Sequence, residues 1–228
     1  MTFFMMKLYR KHILENRSVE NMDKHHVVIT IARQYGSGGR SIGMMIAEKY
    51  GIPFYDKDII KIASEESGIK EEYFGSVDEY VSKAKPSLFK RAYKGGLLSP
   101  NDKDYVSEEN LFNIQAKVIK DLAAKGSCVI IGRCSNYVLK DDPHALSIFV
   151  HASDEFRREK AAEKLTMKGR KLEDYLAKDD KRKMDFYRRF TGGEWFDARN
   201  YDLSLDSSKM GYEKCIRAIE ARVKMMYE

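Results

Sequence analysis

The sequence predicts a three-layer α/β fold in which helices cover both faces of a five-stranded parallel sheet. Two observations predict this class. Continuous apolar, β-branched runs such as VVITIA at 27–32 are typical of parallel strands that are buried on both faces. These runs alternate along the chain with amphipathic helical segments, and such alternation favours a parallel sheet.

The first half of the chain supplies two of the strands. The strand at 27–32 leads into a glycine-rich turn and a helix that ends at Gly51, and a short strand follows at 52–56. Asp56 is the predicted N-cap of the next helix, which stops at Gly68 because glycine readily takes the left-handed conformation found at helix ends.

The second half supplies the other three strands, within SCVIIGRCS, ALSIFVHAS and YDLSLDSS. A helix over 108–125 precedes the first of them, since its apolar residues recur at helical spacing. Ser153 is the predicted N-cap of a highly charged helix over 154–190. A final helix closes the chain. Ligands of open parallel sheets bind at the carboxyl ends of the strands, so the loops there are the first candidates for a site.

Charge and cysteine usage limit the classes of partner and compartment. The chain carries 41 basic and 35 acidic residues, a net charge of +6, which suits an anionic partner such as nucleotide phosphates, nucleic acid or an acidic lipid surface, or simply maintains solubility. Three cysteines without metal-ligand spacing predict free thiols in a reducing compartment. We expect a cytoplasmic protein without a membrane partner, because no long apolar run is present.

The glycine-rich turn predicts a phosphate-binding loop. Glycines lack a Cβ, so the chain can take positive φ values and bring backbone N–H groups close to an anion. The helix that begins near Ser41 adds its free N–H groups and the positive end of its dipole. We therefore expect a nucleotide donor to lie against Gly36, Ser37, Gly38 and Gly39. The alternative is a tight strand–helix turn whose glycines serve packing alone.

The loop departs from the usual pattern of Gly, four spacers and Gly-Lys-Ser/Thr. When Gly39 is aligned with the second glycine, the first glycine position falls on Gln34 and the lysine position on Arg40. Arg40 keeps the positive charge and adds a planar fork, so we expect it to contact the β- and γ-phosphates. Ser41 stands where a hydroxyl that binds Mg²⁺ is expected.

Several blocks of the sequence resemble the cytidylate kinase-like family, a branch of the P-loop nucleoside monophosphate kinases. They are ITIARQYGSGGRSIGMMIAEKYGIPFYDKDIIKIASEESG, VIIGRCSNYVL, IFVHASDEFRREKAAEKL and YDLSLDSS. The resemblance implies a fold of the P-loop NTP hydrolase type with a helical lid. It also implies ATP and Mg²⁺ as cofactors, and phosphoryl transfer to a small phosphorylated acceptor, a nucleoside monophosphate such as CMP.

The resemblance also implies roles for individual residues. Asp56 would orient the acceptor or a metal-bound water, and Arg133 would clamp the acceptor phosphate. Arg157, Arg182 and Arg188 would close over the transferring group as part of the lid. The glycine, tyrosine and arginine that follow the aspartate in ordinary cytidylate kinases are missing here, as are both acids that flank the matched arginine. The phosphate chemistry is therefore better supported than CMP as the acceptor.

The resulting domain prediction is an N-terminal extension at 1–25 and a kinase domain at 26–228, with a substrate-side insertion at 69–107 and a lid at 154–200. A catalytically weak, nucleotide-binding regulatory protein is the main alternative function. A basic nucleic-acid-binding protein is a weaker one, suggested by KRKMDFYRRF, because a lid helix explains the same residues. The sequence leaves the oligomeric state open.

Overall fold

A computed structural model describes residues 25–79 and 96–228, with side chains described up to residue 75 in the first stretch. The predicted N-terminal extension lies outside the described residues except for its last residue, and so do residues 80–95 of the predicted insertion.

The described strands form one parallel sheet in the order β2-β3-β1-β4-β5. Their bounds are β1 Val28–Arg33, β2 Phe54–Tyr55, β3 Cys128–Ile131, β4 Ala145–His151 and β5 Leu203–Asp206. At the centre, Ile31 of β1 is paired with Ile131 of β3 and Ile148 of β4. The carboxyl ends of β1, β3 and β4 therefore lie side by side. The predicted α/β class and five-stranded sheet are confirmed.

Helices connect the strands and cover the sheet. They are α1 Gly39–Tyr50, α2 Asp58–Ser67, α3 Glu71–Glu79, α4 Glu108–Ala124, α5 Ser135–Val138, α6 Asp154–Ala162, α7 Arg170–Thr191 and α8 Ser207–Met226, with a 3₁₀ turn at Ala198–Asn200. No helix among the described residues is long and apolar enough to cross a membrane.

The alternation of side chains along β1 explains the two cores. Val28 and Ala32 point to the face covered by α2, α4 and the carboxyl-terminal half of α7. Ile29 and Ile31 point to the opposite face, covered by α1 and α8. Apolar residues at successive positions of the strand are therefore all buried, as expected of a central parallel strand.

Three local predictions need correction. Asp56 is not the N-cap of α2, because that position is Lys57, which makes no side-chain cap hydrogen bond, and the Asp56 carboxylate instead contacts arginines. The charged stretch 154–190 is two helices, α6 and α7, interrupted near Gly169, whose φ is +55°. α1 begins at Gly39, two residues before Ser41.

Other local predictions are confirmed. The Ser153 hydroxyl caps α6 by accepting a hydrogen bond from the Phe156 N–H at 3.3 Å. The three cysteines are free thiols, and all three are buried. The segment 69–107 is the predicted substrate-side insertion. Its described residues contain helix α3 and, from residue 96 onward, a series of turns that leads to α4.

Candidate functional site

The glycine-rich turn leaves β1 and enters α1 at the carboxyl edge of the sheet. Gly36 and Gly38 both have a φ of +79°, a value that side-chain-bearing residues rarely adopt. Gly38 is the N-cap of α1, and its carbonyl accepts a hydrogen bond from the Ile42 N–H. Because the first N–H groups of a helix have no intrahelical partner, this turn can bind an anion through its backbone.

Ser37 holds the turn together and is not exposed to the cleft. The residue is fully buried, and its hydroxyl donates to the Gln34 carbonyl at 2.9 Å. The Ser37 carbonyl in turn accepts a hydrogen bond from the Ser207 hydroxyl at 2.5 Å. The contribution of Ser37 to a bound anion is therefore limited to fixing the turn.

A buried ion pair fixes the peptide groups of Tyr35. The Tyr35 N–H donates to Asp180 at 2.9 Å, and the Tyr35 carbonyl accepts from Arg157 Nε at 2.8 Å. Arg157 and Asp180 are also bonded directly to each other. Burial raises the pKa of the Asp180 carboxyl, and the Tyr35 N–H and Arg157 oppose that rise. This clamp joins α6 and α7 to the turn.

A cleft of about 870 Å³ lies in front of the turn. The turn from Gln34 to Ser41 forms its floor. The ring of Tyr212 covers Gly38 so closely that a side chain at that position would overlap it. The wall is completed by Lys160 of α6, by Glu163 and Lys164 just after that helix, and by Lys183 of α7. This volume is in the range of nucleotide and cofactor pockets, and the lining is basic.

A second, smaller cavity of about 120 Å³ lies between the ends of β1 and β3 and helix α7. Its polar lining is charged, with an excess of positive groups: Arg33, Asp56, Arg133, Arg182 and Lys183. Trp195, Phe186 and Tyr187 provide an apolar wall. Such a composition favours a small anionic ligand with an apolar part.

The backbone at the end of β3 is strained where it borders this cavity. Arg133 and Cys134 have φ values of +58° and +53°, and the preceding Gly132 has +71°. Non-glycine residues in this conformation cost roughly 1–2 kcal/mol each. Such strain is concentrated at functional sites, and here it sets the position of Arg133 at the cavity.

Asp56 connects two arginines between the two cavities. Its carboxylate accepts from Arg40 Nε at 2.7 Å and lies 3.6 Å from Arg33. Arg40 also donates to the Met44 sulfur at 2.9 Å, and its guanidinium lies over the Phe54 ring. The Arg40 side chain thus leans toward β2, although the residue still lines the cleft.

The structure brings most of the predicted site residues together. The glycines, Arg40 and Ser41 line the cleft, and Asp56, Arg133 and Arg182 line the small cavity. Arg157 lies beneath the turn in the buried clamp, so it is placed to position the turn. Arg188 lines neither cavity and pairs with Glu194 at 2.7 Å on the surface.

Several residues at the two cavities were not singled out from the sequence, and four of them bear on the chemistry of the site. Lys160 and Tyr212 line the cleft, and Arg33 and Lys183 line both cavities. Burial lowers the pKa of Arg33 and of Lys183, and their proximity to each other lowers that of Lys183 further. A pair of partly desolvated cations is a physical reason to expect an anion at this boundary. The basic residue directly after the VITIA strand was the available signal for Arg33.

The model of the cytidylate kinase-like family matches residues 28–209. The chain belongs to this family. The chain is 24% identical over 205 residues to the cytidylate kinase of Pyrococcus horikoshii. This match covers 89% of the chain and 91% of that protein.

Solved structures are similar to this kinase-like protein over most of its length. One is an uncharacterized protein from Eubacterium ventriosum, with a TM-score of 0.64 and 22% identity over 87% of this chain and 98% of that one. Another is the shikimate kinase of Acinetobacter baumannii, with a TM-score of 0.47 and 11% identity over 89% of this chain and 95% of that one. The family assignment supports kinase chemistry in general and the use of a nucleotide.

Proposed function

We propose that this protein transfers the γ-phosphoryl group of ATP to a small phosphorylated acceptor, a nucleoside monophosphate such as CMP. The observation that carries the proposal is the pair of adjoining cavities. A glycine-floored, basic cleft of nucleotide size meets a small arginine-lined cavity at a shared wall. A kinase needs two anionic substrates placed end to end, because phosphoryl transfer depends mainly on in-line positioning and positive charge.

The donor would lie in the cleft in front of the glycine turn. The backbone N–H groups at Gly36, Gly38 and Gly39 would bind its phosphates, with the end of α1 adding favourable charge. Mg²⁺ usually keeps several waters and is held by substrate phosphates with few protein ligands. Ser41 is one of the residues that line the cleft, and no cluster of three His, Cys, Asp or Glu that could hold a metal occurs among the described residues. This fits a cation that arrives with the nucleotide.

The acceptor phosphate would lie in the small cavity. Arg133 and Arg182 would hold its oxygens, and Asp56 would orient the neighbouring arginines. In the transfer, a bond forms from an acceptor-phosphate oxygen to the γ-phosphorus while the bond from that phosphorus to the β–γ bridging oxygen breaks. ADP leaves with the electron pair of the broken bond. No proton transfer is needed when the acceptor phosphate is fully ionised.

The domain organisation proposed for this reaction follows from the same arrangement. Residues 154–200 would act as the lid, since α6 and α7 supply the side chains that face both cavities across from the glycine turn. Closure of such a lid excludes water and limits hydrolysis of the donor. The described residues of 69–107 would lie on the acceptor side.

The proposal is tested by measuring ADP release from Mg²⁺-ATP with and without a panel of nucleoside monophosphates. We expect release that depends on one or a few acceptors and that saturates with acceptor concentration. Arg182→Gln should raise the KM for the acceptor more than the KM for ATP, because Arg182 lines the acceptor cavity only. ATP binding without turnover on any acceptor would contradict the proposal.

A catalytically weak, nucleotide-binding regulatory protein is the second candidate. Two observations favour it. The Arg40 Nε donates a hydrogen bond to Asp56 at 2.7 Å, so this side chain is bonded within the protein, and the glycine turn contains no lysine. This candidate predicts that the protein binds ATP, and that no acceptor increases the release of ADP. The same acceptor panel separates the two functions.

A further inference from the structure

The conformation of the glycine turn indicates a different alignment with the phosphate-loop pattern from the one made on the sequence, in which Gly39 was the second glycine. Gly38 has positive φ and caps α1, so it is the structural counterpart of the glycine that precedes the helix. Counting back through the four spacers places the first glycine of the pattern at Arg33. Counting forward places the lysine at Gly39 and the serine or threonine at Arg40, so Ser41 lies one residue beyond the hydroxyl position of the pattern. The glycine and the basic residue have therefore changed places.

The space around Arg33 supports this exchange. A Cβ at Gly39 would come within 2.6 Å of the Arg33 Cβ, so the stem of Arg33 fills the position that a lysine side chain at residue 39 would occupy. The guanidinium lies against Gly132, where any added Cβ would overlap an Arg33 nitrogen. Two glycines from different parts of the chain thus make room for one arginine.

Lys183 reaches the same place from α7. Its ammonium group pairs with Asp179 at 2.5 Å, and the side chain is mostly buried, with 19% exposed. Of the described residues, Arg33 and Lys183 are those that line both cavities. The boundary between a donor and an acceptor is where negative charge accumulates during phosphoryl transfer.

Arg40 has a different environment. Its side chain is half exposed, with 52% accessible, and it is bonded to Asp56 and Met44. It lines the cleft but not the small cavity. All three cations have carboxylate partners, so the difference lies in their position: Arg33 and Lys183 face the boundary between the cavities, and Arg40 does not.

We propose that Arg33 and Lys183, rather than Arg40, supply the positive charge that contacts the γ-phosphate between the two cavities, so that they replace the lysine missing from the glycine turn. This inference rests on the proposed use of ATP. It predicts that the protein distinguishes ATP from ADP through these two side chains, because ADP lacks the phosphate they contact.

The test is the ratio of the dissociation constants of Mg²⁺-ADP and Mg²⁺-ATP, measured by calorimetry on the full chain, which needs no knowledge of the acceptor. A charge-assisted hydrogen bond corresponds to roughly a 10- to 100-fold difference in affinity. We therefore expect Lys183→Met to lower the ratio by about tenfold or more. The matched control is Lys181→Met on the same helix, whose side chain is 73% exposed and pairs with Asp185, and it should leave the ratio unchanged.

Moving the charge provides a second test. Arg33→Gly should lower the ADP/ATP ratio as Lys183→Met does. The double variant Arg33→Gly with Gly39→Lys restores the usual order of glycine and lysine, and we expect it to recover the ratio to within about threefold of the original. Gly39→Lys alone should destabilise the protein, because Arg33 occupies the required space. Circular dichroism of each variant reports whether it is folded.

Three results would overturn the inference. Arg40→Gln could lower the ratio of dissociation constants as much as Lys183→Met does, or Lys183→Met could leave that ratio within threefold of the original. The double variant could also have a ratio no higher than that of Arg33→Gly. These failures differ from failure of the proposed function. A parent chain that binds neither nucleotide would refute the donor site as a whole, whereas binding without turnover would refute only the kinase activity.

Discussion

The clamp between Arg157 and Asp180 gives the sharpest prediction about stability. Both residues are nearly fully buried, with 6% and 7% exposed. Asp180→Ala removes the carboxylate that pairs with Arg157 and accepts the Tyr35 N–H. Loss of one partner from a buried ion pair costs about 3–5 kcal/mol. Because Arg157 keeps Asp154 and the Tyr35 carbonyl as partners, we expect a loss near the lower end, about 3 kcal/mol.

The matched control is Asp154→Ala. Asp154 also pairs with Arg157, at 3.1 Å, but its side chain is 81% exposed. Exposed ion pairs contribute about 0–1 kcal/mol, so this variant should lose no more than about 1 kcal/mol in unfolding free energy. The measurement is urea denaturation followed by far-ultraviolet circular dichroism. Both variants are fitted with the same dependence of the unfolding free energy on urea concentration.

An apolar replacement of both partners checks the physical reason. Arg157→Met with Asp180→Leu removes both charges, and such replacements of buried ion pairs are often neutral or stabilising. We expect the double variant to be more stable than Asp180→Ala. Equal losses for Asp180→Ala and Asp154→Ala, or a double variant less stable than Asp180→Ala, would show that burial of the ion pair does not set the cost of breaking it.

Three further predictions concern the turn, the boundary lysine and a buried thiol. Gly36→Ala should abolish nucleotide binding, because its Cβ would lie 2.5 Å from a backbone oxygen of α6. Gly68→Ala, at a φ of +72° with open space around it, should lower the free energy of unfolding by about 1–2 kcal/mol and leave nucleotide binding intact. Burial lowers the pKa of Lys183, so this lysine loses its positive charge at a lower alkaline pH than an ordinary lysine does. The rate of phosphoryl transfer should fall in that pH range, and Lys183→Arg should move the fall to higher pH. Burial raises the pKa of Cys128 to about 12, so iodoacetamide should label this thiol in the folded protein at pH 8 far more slowly than in urea, as peptide mapping would show.

The strands and most helix boundaries could be predicted from the sequence because they depend on local properties. The apolar run that contains Ile29 and Ile31 identifies the central strand without any knowledge of its neighbours. Helix α3 was missed because its nine residues contain several that are poor helix formers, including Gly75. The break between α6 and α7 falls within EKLTMKG at 163–169. It was missed because the charged residues on both sides were taken as one helix, although Gly169 is a signal that can interrupt a helical pattern.

The candidate site was predicted in outline, and its details depend on contacts between distant parts of the chain. The role of Asp56 as a partner of arginines depends on how β2 lies beside the turn, which no local pattern contains. The placement of Arg33 requires glycine at both Gly39 and Gly132, and only the folded sheet brings these residues together. Lys183 is one of several lysines in KDDKRKMDF, and its neighbours in sequence do not distinguish it.

The proposed reaction moves a phosphoryl group from one cavity to the other. It is tested most directly by incubating the protein with Mg²⁺ and ATP labelled in the γ-phosphate, in the presence of each nucleoside monophosphate, and separating the products. We expect the label to appear in a nucleoside diphosphate made from the acceptor, in an amount equal to the ADP released. Label found only in inorganic phosphate, or retained in ATP with every acceptor, would contradict it.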